Sequence, residues 1–209
     1  MKGFATACFA IAGLLASGPA ATAERPTVGQ VEQVQGMARA EHAAESRDLS
    51  RDAAVLFKDL LVTGEDARLL AALADGTELT LGENAKLEIN KLIYDPGSAD
   101  NSLVVNVVAG AFLFVGGRIE EAGGNAVTIR TAVVTIGVRG TTVWGGRIDD
   151  GFGVLVLNGA ATVSTAAGAV ALGPGQGTMI FQSTDAPDDP VVWPQQKVDR
   201  AIATVSFGQ

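Results

Sequence analysis

TAVVTIGVRGTTVW, residues 131–144, is the stretch that decides how the rest of the chain is read. Two runs rich in valine, isoleucine and threonine, the residues that favour strands, meet there at Gly137-Val138-Arg139-Gly140-Thr141. A glycine inside a strand pattern marks a bulge or a bend, so Gly137 and Gly140 are expected at such positions. Arg139 between them is expected to be structural. Its five guanidinium donors can satisfy carbonyls or a carboxylate where glycine keeps the backbone close.

The sequence on either side has the same texture. Downstream, Asp149-Asp150-Gly151 predicts a turn, 153–157 a strand, and Asn158-Gly159 a hairpin leading into 161–165. Residues 170–172 and 178–181 continue the pattern around Gly173-Pro174-Gly175-Gln176. Upstream, 127–130 reads as a strand, while 103–108 and 111–115 are apolar on both faces, as in strands covered on both sides. Gly116-Gly117 and Gly123-Gly124 bracket a polar connection.

Residues 65–74 are ambiguous: their Ala, Leu, Glu and Arg content favours helix, but Asp75-Gly76 is a hairpin signal followed by alternating Leu79 and Leu81. A hairpin needs a strand on both sides, so 68–73 is predicted as strand. Ala85, Leu87 and Ile89 alternate with polar residues, and 95–101 carries turn residues. Val28, Val31 and Val34 recur at intervals of three, which fits a strand if Gly29 forms a bulge. Met37 to Ala40 is the expected returning strand. Residues 41–52, charged and without an apolar period, read as a solvated loop.

Turns recur at roughly 7–12-residue intervals from 110 to 180, the all-β pattern. The expected fold is all-β, either a twisted β-sandwich or a short irregular β-solenoid. After a Pro/Asp-rich linker over 185–190, Val198, Ala201, Ile202 and Val205 have helical spacing and predict a short C-terminal helix.

The amino terminus bears on location. Met1-Lys2, the apolar run 4–17, the Gly18-Pro19 break and Ala21-Thr22-Ala23 make a cleavable signal peptide over 1–23. The run is shorter than the roughly 20 residues a membrane span needs. The expected product begins at Glu24 and occupies the periplasm or the medium, with no membrane insertion after cleavage. Its β domain covers 24–183, and the linker and helix cover 184–209. Cys8, the one cysteine, leaves with the signal, so no disulfide or thiol chemistry is expected.

The whole chain has 15 basic and 23 acidic residues, a net charge of −8; losing Lys2 makes it −9. A basic footprint for nucleic acid is missing. His42 is the single histidine and has no second His or Cys with which to share a metal. The acids Asp149, Asp150, Asp185, Asp188 and Asp189 lack the spacing of a dedicated calcium loop. No Gly-rich turn has the lysine of a phosphate cradle, and no serine has a histidine base beside it in the sequence. No cofactor, metal ligand or catalytic residue is expected.

Several phrases between Val62 and Gln176 together resemble the FecR-type domain, the periplasmic sensor region of iron-dicitrate regulator proteins. In order they are Val62-Thr63-Gly64, Leu73-Ala74-Asp75-Gly76-Thr77, Val108-Ala109-Gly110-Ala111-Phe112 and the stretch ending Gly137-Val138-Arg139-Gly140-Thr141. Val154-Leu155-Val156-Leu157-Asn158-Gly159 and Leu172-Gly173-Pro174-Gly175-Gln176 complete the series. The chain departs from the family at Ala132, where proline is common, and at Asn158, where an acid is common. The family's sensors also carry a sigma-factor-binding segment and a membrane helix ahead of this domain, where this sequence reads as a signal peptide. The resemblance therefore implies an exported, non-enzymatic domain that binds an envelope or periplasmic protein partner in signalling, and sigma-factor regulation is not carried over. A structural or surface module recognising envelope polysaccharide is the alternative, disfavoured by the sparse aromatics.

Overall fold

A computed structural model describes residues 25–98, 100–120 and 126–208. The expected signal peptide and the Gly123-Gly124 pair lie outside the described residues.

The described residues form sixteen strands in one hydrogen-bonded sheet, and one helix. In chain order they begin with β1 (Thr27–Gln35), β2 (Ala38–His42), β3 (Glu45–Asp48), β4 (Ala54–Leu56), β5 (Leu60–Thr63) and β6 (Arg68–Leu73). There follow β7 (Glu78–Leu81), β8 (Lys86–Ile93), β9 (Ser102–Ala109), β10 (Phe112–Val115) and β11 (Val127–Thr131). Two long strands, β12 (Thr135–Ile148) and β13 (Gly151–Ser164), precede β14 (Ala169–Leu172), β15 (Gln176–Ile180), β16 (Val191–Val192) and helix α1 (Gln195–Ala203).

The sheet has two arms that meet at β12. One runs β3-β2-β5-β8-β9-β11 and pairs with the first part of β12; the other runs β4-β1-β6-β7-β10 and pairs with the later part. Leu61, Leu87, Val105 and Ile129 of the first arm share one buried cluster with Val31, Leu69, Phe112 and Phe114 of the second. The arms are thus two layers of a curled, open sheet over one core. Among the described residues every strand pairing is antiparallel except β9 with β11, which removes the solenoid alternative and leaves the sandwich-like one.

One pattern explains why the halves of β12 serve different arms. Ile136 and Val138 point into the core before Arg139; Val143 does so after it. Even positions face inward first and odd positions afterwards. Such a change of parity requires a bulge, and the β12–β13 register does shift between Arg139 and Val143. The partner strand switches too, from Val154 and Val156 to Ala161 and Val163. Gly140 (φ +60°) and Gly159 (φ +78°) sit at the two switches, so the arms diverge around a paired bulge.

Several expectations need correcting. Asn158-Gly159 is not a hairpin but the β13 side of this bulge; the hairpin joining β12 to β13 is at Asp149 and Asp150, both at positive φ (48° and 66°). Gly137 is a regular ladder position, opposite Thr128 and Thr162, and not a bend. Residues 41–52 are not one solvated loop: β2 and β3 form a hairpin there, an edge element whose side chains are too little buried to leave an apolar period. The segment at 37–40 does not return along β1. Gly36 turns the chain into the other arm, where β2 pairs with β5. Strands β9 and β10 are fully buried on one face only, with Val108 58% exposed.

The β expectation at 68–73 holds, as does the hairpin at Asp75-Gly76. The intervals of three in β1 arise from two register shifts, one beside Gly29 and one between Val31 and Gln33.

The predicted helix is present and covers the opposite face of β12 and β13. Trp144, Ile148, Leu155, Met179 and Trp193 form a second buried cluster with Ala201 and Val205 from the helical tail. The two indoles meet edge to face at 6.0 Å, and Trp144 Nε1 donates to Thr204 Oγ1 at 3.0 Å. The linker is itself held down, since the Asp188 N–H donates to Met179 O and Thr178 Oγ1 donates to Asp188 O.

Asp149, on the β12–β13 turn, binds Lys197 at 2.9 Å and Arg200 at 2.8 Å from α1. Hydrogen bonds from Arg200 and Lys197 lower its pKa to about 2. Because the folded value lies below the ordinary one near 3.9, this tether is complete above that value and is lost as pH falls towards 2. Acidification across that window should raise amide hydrogen exchange in 195–205 before it does so in β12. Equal rates in the two segments at every pH would show that the tether contributes nothing. The pair is exposed and screened by salt, so high ionic strength should shrink the effect.

Candidate interaction face

The paired bulge fixes what lies beside it. Arg139 N donates to Thr141 Oγ1 at 2.9 Å, and that hydroxyl donates to Ala160 O at 2.8 Å, tying β12 to β13. The Thr141 N–H donates to Glu120 Oε2 at 2.9 Å, and Gly116 N donates to Thr141 O at 3.0 Å, tying in the connection after β10. Burial raises the Glu120 pKa, with bonds from the Thr141 and Gly140 backbones opposing and the Asp75 carboxylate adding to the rise. Asp75 is itself buried and accepts from Thr77 N and Thr77 Oγ1. These two acids act as structural caps on backbone and hydroxyl donors.

Outside the bulge, register assembles a smooth strip. Val104, Thr128, Gly137, Thr162 and Ala171 lie opposite one another across β9, β11, β12, β13 and β14. Their neighbours along each strand face the core, so this row faces out. The side chains are small, and a partner can approach the backbone closely. Cations stand around the strip: Lys91 opposite Val104, Arg130 opposite Thr135, and Arg139 opposite Ala160. All three are exposed, and among the described residues none forms an ion pair or a side-chain hydrogen bond. Arg130 and Arg139 are separated by four residues of strand, about 13 Å.

Of the motif residues from sequence, Val138 and Thr141 are buried, Gly140 takes the left-handed conformation, Gly137 belongs to the strip, and Arg139 projects from the bulge. The expected capping of carbonyls by its guanidinium does not occur among the described residues; the Thr141 hydroxyl donates to the Ala160 carbonyl instead, and Glu120 accepts from the Thr141 N–H. Lys91 and Arg130 escaped sequence reasoning because only the register, through the parallel β9–β11 pairing, brings them near Arg139.

His42 is half-exposed at the end of β2, with Nδ1 3.0 Å from Lys58 O. Among the described residues no three His, Cys, Asp or Glu side chains are grouped to hold a metal.

Residues 59–162 match the family model for FecR protein. This part of the chain is a FecR-type domain. The match runs from just before β5 into β13, while β1, β4 and α1 pack on the same structure from outside it. Two crystal structures of a candidate anti-sigma factor from Parabacteroides distasonis ATCC 8503 have a similar fold, with TM-scores of 0.50 and 0.52 at 17% identity. The alignment covers 67% of this chain and 62% of theirs, so the FecR-type chain spans under two thirds of those proteins. No curated protein matches the sequence.

Proposed function

We propose that the chain is an exported, non-enzymatic FecR-type domain that binds a protein partner in the cell envelope and so takes part in signalling or sensing. The family match carries this reading, and the similar fold of candidate anti-sigma factors supports a regulatory role. The signal-like residues 1–23 support a periplasmic location, with 24–183 as the β domain and 184–209 as its tail. No helix among the described residues is long and apolar enough to cross a membrane. The partner's place is the strip bordered by Lys91, Arg130 and Arg139.

Crosslinking in intact cells followed by affinity capture tests the reading. A specific partner band is expected, and it should weaken at least tenfold in the Arg130→Glu/Arg139→Glu double variant. Both residues are exposed and unpaired in the described structure, so the variant should melt within about 1 °C of wild type. A strictly solitary protein would refute partner binding. A partner captured equally well by the double variant would move the site elsewhere.

A further inference from the structure

The free edges of the sheet are not alike. Natural sheets guard their edges with charge, proline or twist, because an open edge pairs with other strands. Edge strand β3 carries Glu45, Arg47 and Asp48, and β4 stands between Arg51-Asp52 and Lys58. Strand β16 is two residues long and bracketed by Pro190 and Pro194. Strand β14 has none of these guards: it reads Ala169-Val170-Ala171-Leu172 between Gly168 and Gly173. No Asp, Glu, Lys or Arg occurs anywhere from 151 to 184.

Register shows which backbone groups this edge offers. Thr165 N donates to Gly168 O at the turn, so the β13–β14 ladder alternates from there. Val170 and Leu172 exchange bonds with β13, while the N–H and C=O groups of Ala169 and Ala171 point away from it. Among the described residues, nothing bonds to those four outward groups. Ala186 lies beside Gly168, at the turn end of the strand.

We infer that β14 is where two copies of this chain pair, antiparallel and edge to edge about a two-fold axis at Val170. In that register Ala169 of each copy exchanges both backbone bonds with Ala171 of the other, and all four outward groups are satisfied. Val170 meets its own counterpart at a non-hydrogen-bonded position, on the side that faces the main core. The half-buried Val170 and buried Leu172 of both copies then continue one apolar layer across the seam.

Charge selects the occupant. A chain with net charge −8 repels its copy wherever acids would meet, and β14 lies in the charge-free part of the sequence. A charged partner strand would find no counter-charge there, whereas β14 of a second copy brings none. The two-fold contact uses the same edge on both chains, so it closes at a dimer. Its seam is short, well under the roughly 1,200 Å² of a stable interface, and the expected Kd is on the order of 100 µM. This inference does not depend on the partner reading above: the strip ends at Ala171 and presents outward side chains, whereas the seam uses the backbone edge of β14 and none of the three cations.

Cysteine crosslinking tests it directly. In a Cys8→Ser background of the full chain, Val170→Cys places two thiols at a pair position with Cα atoms about 4.5 Å apart, within disulfide reach. Mild oxidant should convert Val170→Cys to a covalent homodimer at least tenfold faster than Thr162→Cys, which lies on the outer face of β13 away from the edge. Adding Ala171→Pro, which removes one outward donor and leaves the β13 ladder intact, should cut that rate at least tenfold. Equal rates for the two cysteines, indifference to Ala171→Pro, or a disulfide to a different protein would each overturn the inference. Should the cysteine variant not fold, sedimentation equilibrium of the wild type decides. A weight-average mass that rises with concentration and is lowered by Ala171→Pro supports the seam, and a monomer up to about 1 mM overturns it.

Discussion

Asp59→Ala protein is expected to melt roughly 6–12 °C below wild type, a loss of about 3 kcal/mol. The Asp59 carboxylate is only 1% exposed, yet it has no apolar purpose. It accepts from Arg25 Nη1 at 2.5 Å, from Arg47, and from the Leu56 N–H at 2.9 Å. Those donors come from the residues ahead of β1, from the edge strand β3, and from the end of β4. One acid thus joins the turn after β4 to two segments distant in sequence, at Arg25 and Arg47. Removing it leaves Arg47 and the Leu56 N–H without this acceptor and Arg25 with the Phe57 carbonyl alone, and breaking a buried pair costs more than the pair contributes. Both arginines retain access to water, which holds the figure at the lower end. Asp59→Asn should recover part of the loss, since its oxygen can still accept. Thermal melts of the two variants check the order, and an Asp59→Ala protein as stable as wild type would show that the site is merely decorative.

The second large effect belongs to Gly159. A Cβ built there would lie 2.0 Å from the Gly140 carbonyl oxygen, and φ is +78°. Neither atom is at the end of a flexible side chain, so backbone on one strand or the other must move. Gly159→Ala should cost about 4 kcal/mol, combining left-handed strain with the loss of bulge geometry. Gly140 has the same hand, φ +60°, but nothing within 4 Å of its Cβ position. Gly140→Ala should therefore cost only about 1–2 kcal/mol, the conformational part alone. Denaturant titration of both variants separates the two terms, and equal losses would mean that the close approach is relieved without strain.

These two glycines also show how much of the fold was legible. Within 131–144 the sequence marks the bend at Gly140 correctly but not Gly137, and 132–134 is the turn between β11 and β12 rather than the start of a strand. The recurring turns and the apolar spacing of the tail do imply an all-β fold with a C-terminal helix. Asn158-Gly159 misled because the dipeptide that suits a type I′ turn suits any pair of positions needing positive φ, including a bulge. A better signal was available in parity: Ile136 and Val138 against Val143, then Val154 and Val156 against Ala161 and Val163. Two changes of inward parity, each from even to odd positions, fit a bulge crossing both strands, whereas a hairpin needs no such pairing. The hairpin β2–β3 was missed for a different reason. Edge strands bury little, so hydrophobic period, the main strand signal, is absent where the sheet ends. The cationic strip was beyond local reading, because its three charges come from β8, β11 and β12 and meet only through pairing.

The chain has two tryptophans, and Trp144 and Trp193 both lie in the cluster beneath α1; the main core between the arms has none. Indole emission therefore reports on one face of the protein, while the far-ultraviolet strand signal is dominated by the two arms. A red shift in emission that precedes loss of strand signal during unfolding would measure release of the helix alone. Coincident curves would instead show that the tail and the sheet melt as a single cooperative unit.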